Sequence, residues 1–374
     1  MSAAPSVADT AERPGNRAVR QIETVSLGRA TGLVASVYAQ VARDFAIVPP
    51  ITIHSAVPEI LAGVWCMTRE AFIVGRAGRA RREMVAAAVS RTNECPYCVE
   101  VHSAMLHATR DHDLARRLSS DAGAEEAAQA EPLIRWALST RDPHAPMLAD
   151  PPFSPAEAPQ ILGTAAAFHF INRMVSIFLE NSPVPGPMRA AVLKPLMGRI
   201  LGATLGKRMT GVDAKPGLSL PLLPDAGLPP QFLWAAPDPA VAGAIARMAS
   251  VIESQGAACL PEAAREAVRT RVAAWTGEDP GLGLQWLEQT LAPLAREKDR
   301  AAARLALLAA LAAYRVDDAT IASFRKHFPE DRQLVAAAAW GSFEAVKRLS
   351  KWIAGPSAKS SMPGGEAMQY EVNR

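Results

Sequence analysis

"REMVAAAVSRTNECPYCVEVHSAML", residues 82–106, contains two apolar stretches of helical period separated by a short polar break. Neither stretch shows the alternation of a strand. Asn93 and Glu94 form the break, and Pro96 suits the first position of a new helix, where the amide it lacks would be unpaired anyway. The spacing therefore predicts a helical hairpin with Cys95 near the N-cap and Cys98 in the first turn of the second arm. Unpaired amides and the helix dipole favour negative charge there, so either thiol is a candidate thiolate. His102, four residues after Cys98, shares its helix face. Counted from Glu94, Glu83 sits about 16 Å up one arm and His102 about 12 Å up the other. Glu83, Cys98 and His102 can therefore converge.

The same helical reading extends along the chain. "PEILAGVWCMTREAFIVG", "PQILGTAAAFHFINRMVSIFLE", "DRAAARLALLAALAAYR" and "DRQLVAAAAWGSFEAVKRLSKWI" are all of helical period, with proline and glycine mostly between them. The expected fold class is all-α. Residues 1–25 read as a flexible N-terminus and 26–180 as the helical domain carrying the Cys pair. Residues 181–235 read as a Pro/Gly-rich connection with a short helix in "MRAAVLKPLMGRILGATLGKRM", 236–355 as a second helical unit, and 356–374 as a disordered tail. Sliding the chain by 183 residues lays "ARREMVAAAV" (80–89) over "AAREAVRTRV" (263–272), so the expectation is two related helical halves. In that register Glu83 meets Glu266, while Cys95, Cys98 and His102 meet Glu278, Gly281 and Gln285. The second half would keep the scaffold without the sulfur chemistry.

Bulk properties narrow the function. A net charge of +3 over 374 residues, with no basic patch interleaved with aromatics, argues against nucleic acid as a partner. The first 25 residues lack the apolar segment of a secretory signal, and no run of about 18 uncharged apolar residues suggests a membrane span. Four cysteines in so long a chain do not make a disulfide scaffold. The expected compartment is the reducing cytoplasm, where a CxxC pair is more often catalytic or metal-binding than structural.

Glu, eleven residues, Cys, two residues, Cys, three residues, His: this pattern of Glu83, Cys95, Cys98 and His102 resembles the alkylhydroperoxidase D-like branch of the carboxymuconolactone decarboxylase family. "FHFINR" (168–173) resembles a segment found downstream in that family, and the strong resemblance covers roughly residues 50–180. It implies an all-helical, oligomeric enzyme that reduces organic hydroperoxides without metal, flavin or haem. By motif position Cys98 corresponds to the peroxide-attacking thiol, Cys95 to the resolving thiol, and Glu83 and His102 to a proton relay. The implied electron donor is a dithiol on a lipoyl domain or a thioredoxin-like protein.

Rival readings carry less. CPYC also matches the glutaredoxin motif, but that fold needs a strand where a helix is predicted. A closed zinc site needs four ligands, and Cys95, Cys98 and His102 supply three, with His107 or His112 as candidates for the fourth. General thiol–disulfide exchange and a non-enzymatic redox sensor remain as alternatives. His169, Asn172 and Arg173 share one helix face and are candidates for lining the pocket behind the catalytic residues, for a subunit contact, or for a buried structural network. Cys66 and Cys259 read as small core residues, and His54, His144 and His327 as surface or capping residues.

Overall fold

The computed structural model describes residues 19–108, 111–183, 214–281 and 283–355. These residues form an all-α fold; the only strand-like pairing among them is an isolated bridge between Val19 and Leu179. In the first half, α1 (Gly32–Asp44) buries Val34, Val37, Tyr38 and Val41 along one face. Next comes α2 (Pro58–Thr68), which starts with proline after the extended residue Val57 and runs into a π-helical turn, Arg69–Ile73. Then α3 (Arg79–Thr92) and α4 (Pro96–Ala108) make the expected hairpin. Glu94 takes φ +51° in its turn, the left-handed region that non-glycine residues seldom adopt. Three short helices come next: α5 (His112–Leu118), α6 (Asp121–Ala130) and α7 (Pro132–Leu138). Side-chain oxygens of Asp111, Ser120 and Glu131 cap their starts.

The centre of the molecule is α8 (Ala158–Phe178), buried along nearly its whole length. It is long and apolar enough to cross a membrane, yet 94% of its apolar window is inside the protein, as in a core helix. The second half comprises α9 (Pro239–Cys259), α10 (Glu262–Ala274), α11 (Gln285–Leu291), α12 (Glu297–Leu311), α13 (Asp318–Arg325) and α14 (Asp331–Ile353). α8 packs on α3 on one side and on α14 on the other, while α2 packs on α9. A Cβ on Gly63 in α2 would lie 3.1 Å from the Met248 Cα in α9, so this contact depends on the missing side chain. One continuous apolar cluster runs through both halves.

Residues at the joints are tied down as well. Of the stretch expected to be flexible, Val19–Val25 are anchored: Arg20 N donates to Phe178 O, Glu23 N to Asp331 and Val25 N to Ser55. The helix expected at 188–209 and the tail at 356–374 lie outside the described residues. Within the connection, the described residues 214–235 are ordered against the core. Buried Arg69 donates to Lys215 O, and Glu70 accepts from Gly217 N, Ser219 N and the Ser219 hydroxyl. Phe232 stacks on Phe343, and Trp234 Nε1 donates to Ser350.

Candidate active site

The hairpin brings Glu83 on α3 against His102 on α4. Glu83 is fully buried, and its Oε2 lies 2.8 Å from His102 Nδ1. Arg79, one helical turn earlier, donates to the other oxygen at 2.6 and 2.9 Å. Burial alone would raise the Glu83 pKa; the Arg79 guanidinium and then His102 outweigh it and hold the carboxyl below its ordinary value. The imidazole of His102 is gripped edge-on by Phe72 and Phe168, with ring centroids at 5.6 and 4.5 Å. With Nδ1 committed to the carboxylate, Nε2 is the ring nitrogen free to move a proton.

Cys95 and Cys98 are both free thiols at the start of α4, with Pro96 as its first residue. Cys95 is 1% exposed and Cys98 2%. Cys95 and the Asn172 side chain are the polar neighbours that act on Cys98. Its pKa lies well above the ordinary thiol value: burial raises it most, the neighbouring Cys95 adds to this, and Asn172 opposes it. The expectation of a thiolate waiting at a helix N-terminus is therefore corrected for Cys98, because desolvation of the sulfur outweighs the helix end. Nor does Cys95 stand open at the helix mouth. It is as sealed as Cys98, and the two sulfurs differ by their partners rather than by exposure.

Behind the sulfurs, "FHFINR" builds a buried polar network. Asn172 Nδ2 donates to Ser90, and its Oδ1 accepts from Asn93. His169 contacts Asn93 with one ring nitrogen and Thr140 with the other. Burial, then Arg173 and Arg141, drive His169 well below its ordinary pKa, so its ring is neutral. Arg173 donates to the carbonyls of His169 and Ala310. Of this trio only Asn172 acts on Cys98, while His169 and Arg173 are joined to Asn172 through Asn93.

Sequence reasoning missed Arg79, Phe72, Phe168, Ser90 and Asn93. Arg79 had a signal, being four residues before Glu83 on a helix; Asn93 had only its place in the turn. His54 is corrected from a surface or capping residue to a core one. It is fully buried, stacks on Phe170 and has its pKa lowered to about 4 by burial. Cys66 is a core residue as expected; its thiol donates to Ser219 O, and burial pushes its pKa up to about 12. Among the described residues, no group of three or more His, Cys, Asp or Glu side chains is arranged to hold a metal ion.

An all-α hairpin that joins a buried Glu–His pair to a Cys-x-x-Cys helix start defines a class, and sequence comparison agrees. Residues 58–134, from the first residue of α2 into α7, match the carboxymuconolactone decarboxylase family. The chain belongs to this family, in which it resembles the alkylhydroperoxidase D-like members. It is similar to the alkyl hydroperoxide reductase Rv2159c of Mycobacterium tuberculosis, with 35% identity over 336 residues, which cover 90% of this chain and 95% of that protein. The similarity thus reaches well beyond the hairpin into the second half. No solved structure matches the chain significantly.

Proposed function

We propose that this protein is a thiol-dependent peroxidase that reduces organic hydroperoxides through Cys98 and Cys95. The observation that carries the reading is the Glu83–His102 pair, hydrogen-bonded at 2.8 Å on the same hairpin as two free thiols. Its likeness to an alkyl hydroperoxide reductase supports the same reaction class. His102 takes the Cys98 proton, with Glu83 stabilising the imidazolium. The thiolate attacks the terminal peroxide oxygen, the O–O bond breaks, and the leaving alkoxide departs as the alcohol with the proton from His102. Cys98 is left as a sulfenic acid. The Cys95 sulfur attacks it, a disulfide forms and water leaves. An external dithiol then returns two electrons.

A raised Cys98 pKa fits this order of events, since the thiol is stored protonated and is deprotonated only as the relay engages. The donor is a dithiol on a lipoyl domain or a thioredoxin-like protein, the compartment is the cytoplasm, and the assembly is a homo-oligomer. The second half is a degenerate repeat that packs against the first. Hydroperoxide consumption with dithiothreitol, dihydrolipoamide and thioredoxin in turn tests the reading. Turnover with at least one is expected; oxidation of the cysteines by disulfides but never by hydroperoxides would leave general thiol–disulfide exchange in its place.

A further inference from the structure

Where the hairpin turn meets the second half there is a small pocket, open to solvent on one side. Asn93 and Glu94 line one side, Arg141 and Arg173 the floor, and Leu311–Tyr314 the outer wall. Neither cation has an ion-pair partner among the described residues. Arg173 is 6% exposed, and its hydrogen bonds go to neutral acceptors: Ala310 O, His169 O and Asn93 Oδ1. Arg141 spends one donor on Thr92 O and lies over the Trp275 ring, while its Nε is buried with no hydrogen-bond partner. The exposed acids Asp279 and Glu94 act on Arg141 only from a distance, and burial still lowers its pKa. A buried guanidinium is normally matched by a carboxylate or phosphate, because an unmatched charge carries its full desolvation cost. Burial and the proximity of Arg141 lower the Arg173 pKa to about 9.

We propose that this pocket binds a carboxylate: a singly charged, planar anion received by the Arg141 guanidinium and by Nη2 of Arg173, the one Arg173 nitrogen not spent on protein acceptors, with Tyr314 at its mouth. Arg141, with one donor spent on Thr92 O, can offer a carboxylate the two parallel bonds of a guanidinium fork, and Arg173 adds a single-nitrogen contact. The exposed Glu94 carboxylate works against a doubly charged ligand such as phosphate. Asn93 connects the site to the sulfurs, since it contacts Arg173 on one side and Asn172, the partner of Cys98, on the other. The wall at Leu311–Tyr314 gives the second half a direct part in forming the site.

The test is calorimetric titration with acetate and formate in place of chloride at constant ionic strength, paired with melting curves. Wild-type protein should give saturable heat and a melting temperature that climbs by about 2 °C or more as the site fills. Arg173→Met should lose both responses. Arg141→Gln, at a half-buried position less exposed to folding failure, should weaken them at least tenfold in affinity. No saturable heat in the wild type, or equal responses in the wild type and both variants, overturns the proposal. A kinetic arm, resting on the peroxidase reading, identifies the source of the carboxylate by comparing a fatty-acid hydroperoxide with its methyl ester. An acid preference that vanishes in Arg141→Gln assigns the carboxylate to the substrate; acetate binding without such a preference assigns it to a free ligand, and both outcomes support the site. Calorimetry stands even if no hydroperoxide is turned over.

Discussion

Arg79–Thr92 and Glu262–Ala274 are helices of nearly equal length related by the 183-residue offset, yet the chain leaves them by two different routes. After α3 it turns within Asn93–Cys95 and enters α4 at Pro96. After α10 the described residues between Trp275 and Leu284 form no helix. They are held by Trp275 Nε1 on Glu278 O, Thr276 on the Glu278 carboxylate and Arg315 on Gly281 O. α11 starts only at Gln285, so the places of Cys95 and Cys98 fall on a loop. Glu266 is exposed and is bonded by Thr270 of its own helix, whereas Glu83 is buried between Arg79 and His102. On the proposed repeat, the scaffold helices need only apolar periodicity, which the second half has. A reactive site also needs an abrupt helix start, a sealed acid and a partner imidazole.

The largest expected effect breaks the active half at its sulfurs. Cys98→Ser should abolish even a single turnover with peroxide. Cys95→Ser should react once and leave a trappable sulfenic acid on Cys98, read by mass spectrometry after one equivalent of peroxide. Since the two sulfurs are equally sealed, this asymmetry rests on Asn172 acting on Cys98 and on the proposed proton transfer from Cys98 to His102. A sulfenic adduct on Cys95 in the Cys98→Ser protein would reverse the two roles.

Next come Glu83→Gln and His102→Gln. Each should slow peroxide reduction by about 10²–10⁴-fold, the usual range for general acid–base groups. Glu83→Gln also removes the carboxylate that Arg79 grips, so melting temperature and turnover must be measured on the same samples. A stability loss with the rate per folded molecule unchanged would make the pair a structural clamp and erase the functional difference between the halves.

How far the sequence foretold this can be read from these residues. Helical period exposed the scaffold, and fixed spacing along one hairpin exposed Glu83, Cys95, Cys98 and His102, because local geometry turns spacing into proximity. Asn93 and Arg141 escaped, since Asn93 bonds Asn172 and Arg173 of α8 and Arg141 lines a pocket with Arg173, at sequence separations that no local period encodes. His54 escaped for another reason: a histidine can be buried when its ring finds a carbonyl and an aromatic face, and neither partner is marked in sequence. Burial also decided the protonation of Cys98, and burial is a property of the packed molecule. A helix start read from sequence reports only the opposing dipole.

Histidine content separates the halves in acid. Six of the seven histidines precede residue 180, and His327 alone lies in the second half. His54 is neutral in the fold because burial lowers its pKa from 6.5 to about 4. Below the unfolded value of 6.5 the unfolded chain binds the proton and the folded one does not, so stability is lost as pH falls from about 6.5 towards 4. At about 1.4 kcal/mol per pKa unit this is roughly 3 kcal/mol from His54 alone, and His169 acts in the same direction. Urea unfolding at several pH values should show the decline, and His54→Leu should flatten it. An unchanged slope in that variant would assign the acid lability to other groups.

The smallest expected effect is also the sharpest on the comparison. Glu266→Gln changes the residue that stands in the place of Glu83, but its side chain is exposed to water and bonded by Thr270. An exposed substitution away from packing and caps moves stability by about 0.5 kcal/mol or less. With no imidazole or thiol bonded to it, this acid has no proton to relay. Turnover should therefore match the wild type within error, with any change confined to a small shift in melting temperature. A drop in rate approaching that of Glu83→Gln would mean that Glu266 serves a reaction elsewhere, for instance by facing another subunit's hairpin. The second half would then be a working part of the site, and the proposed repeat would record retained chemistry rather than a retained scaffold.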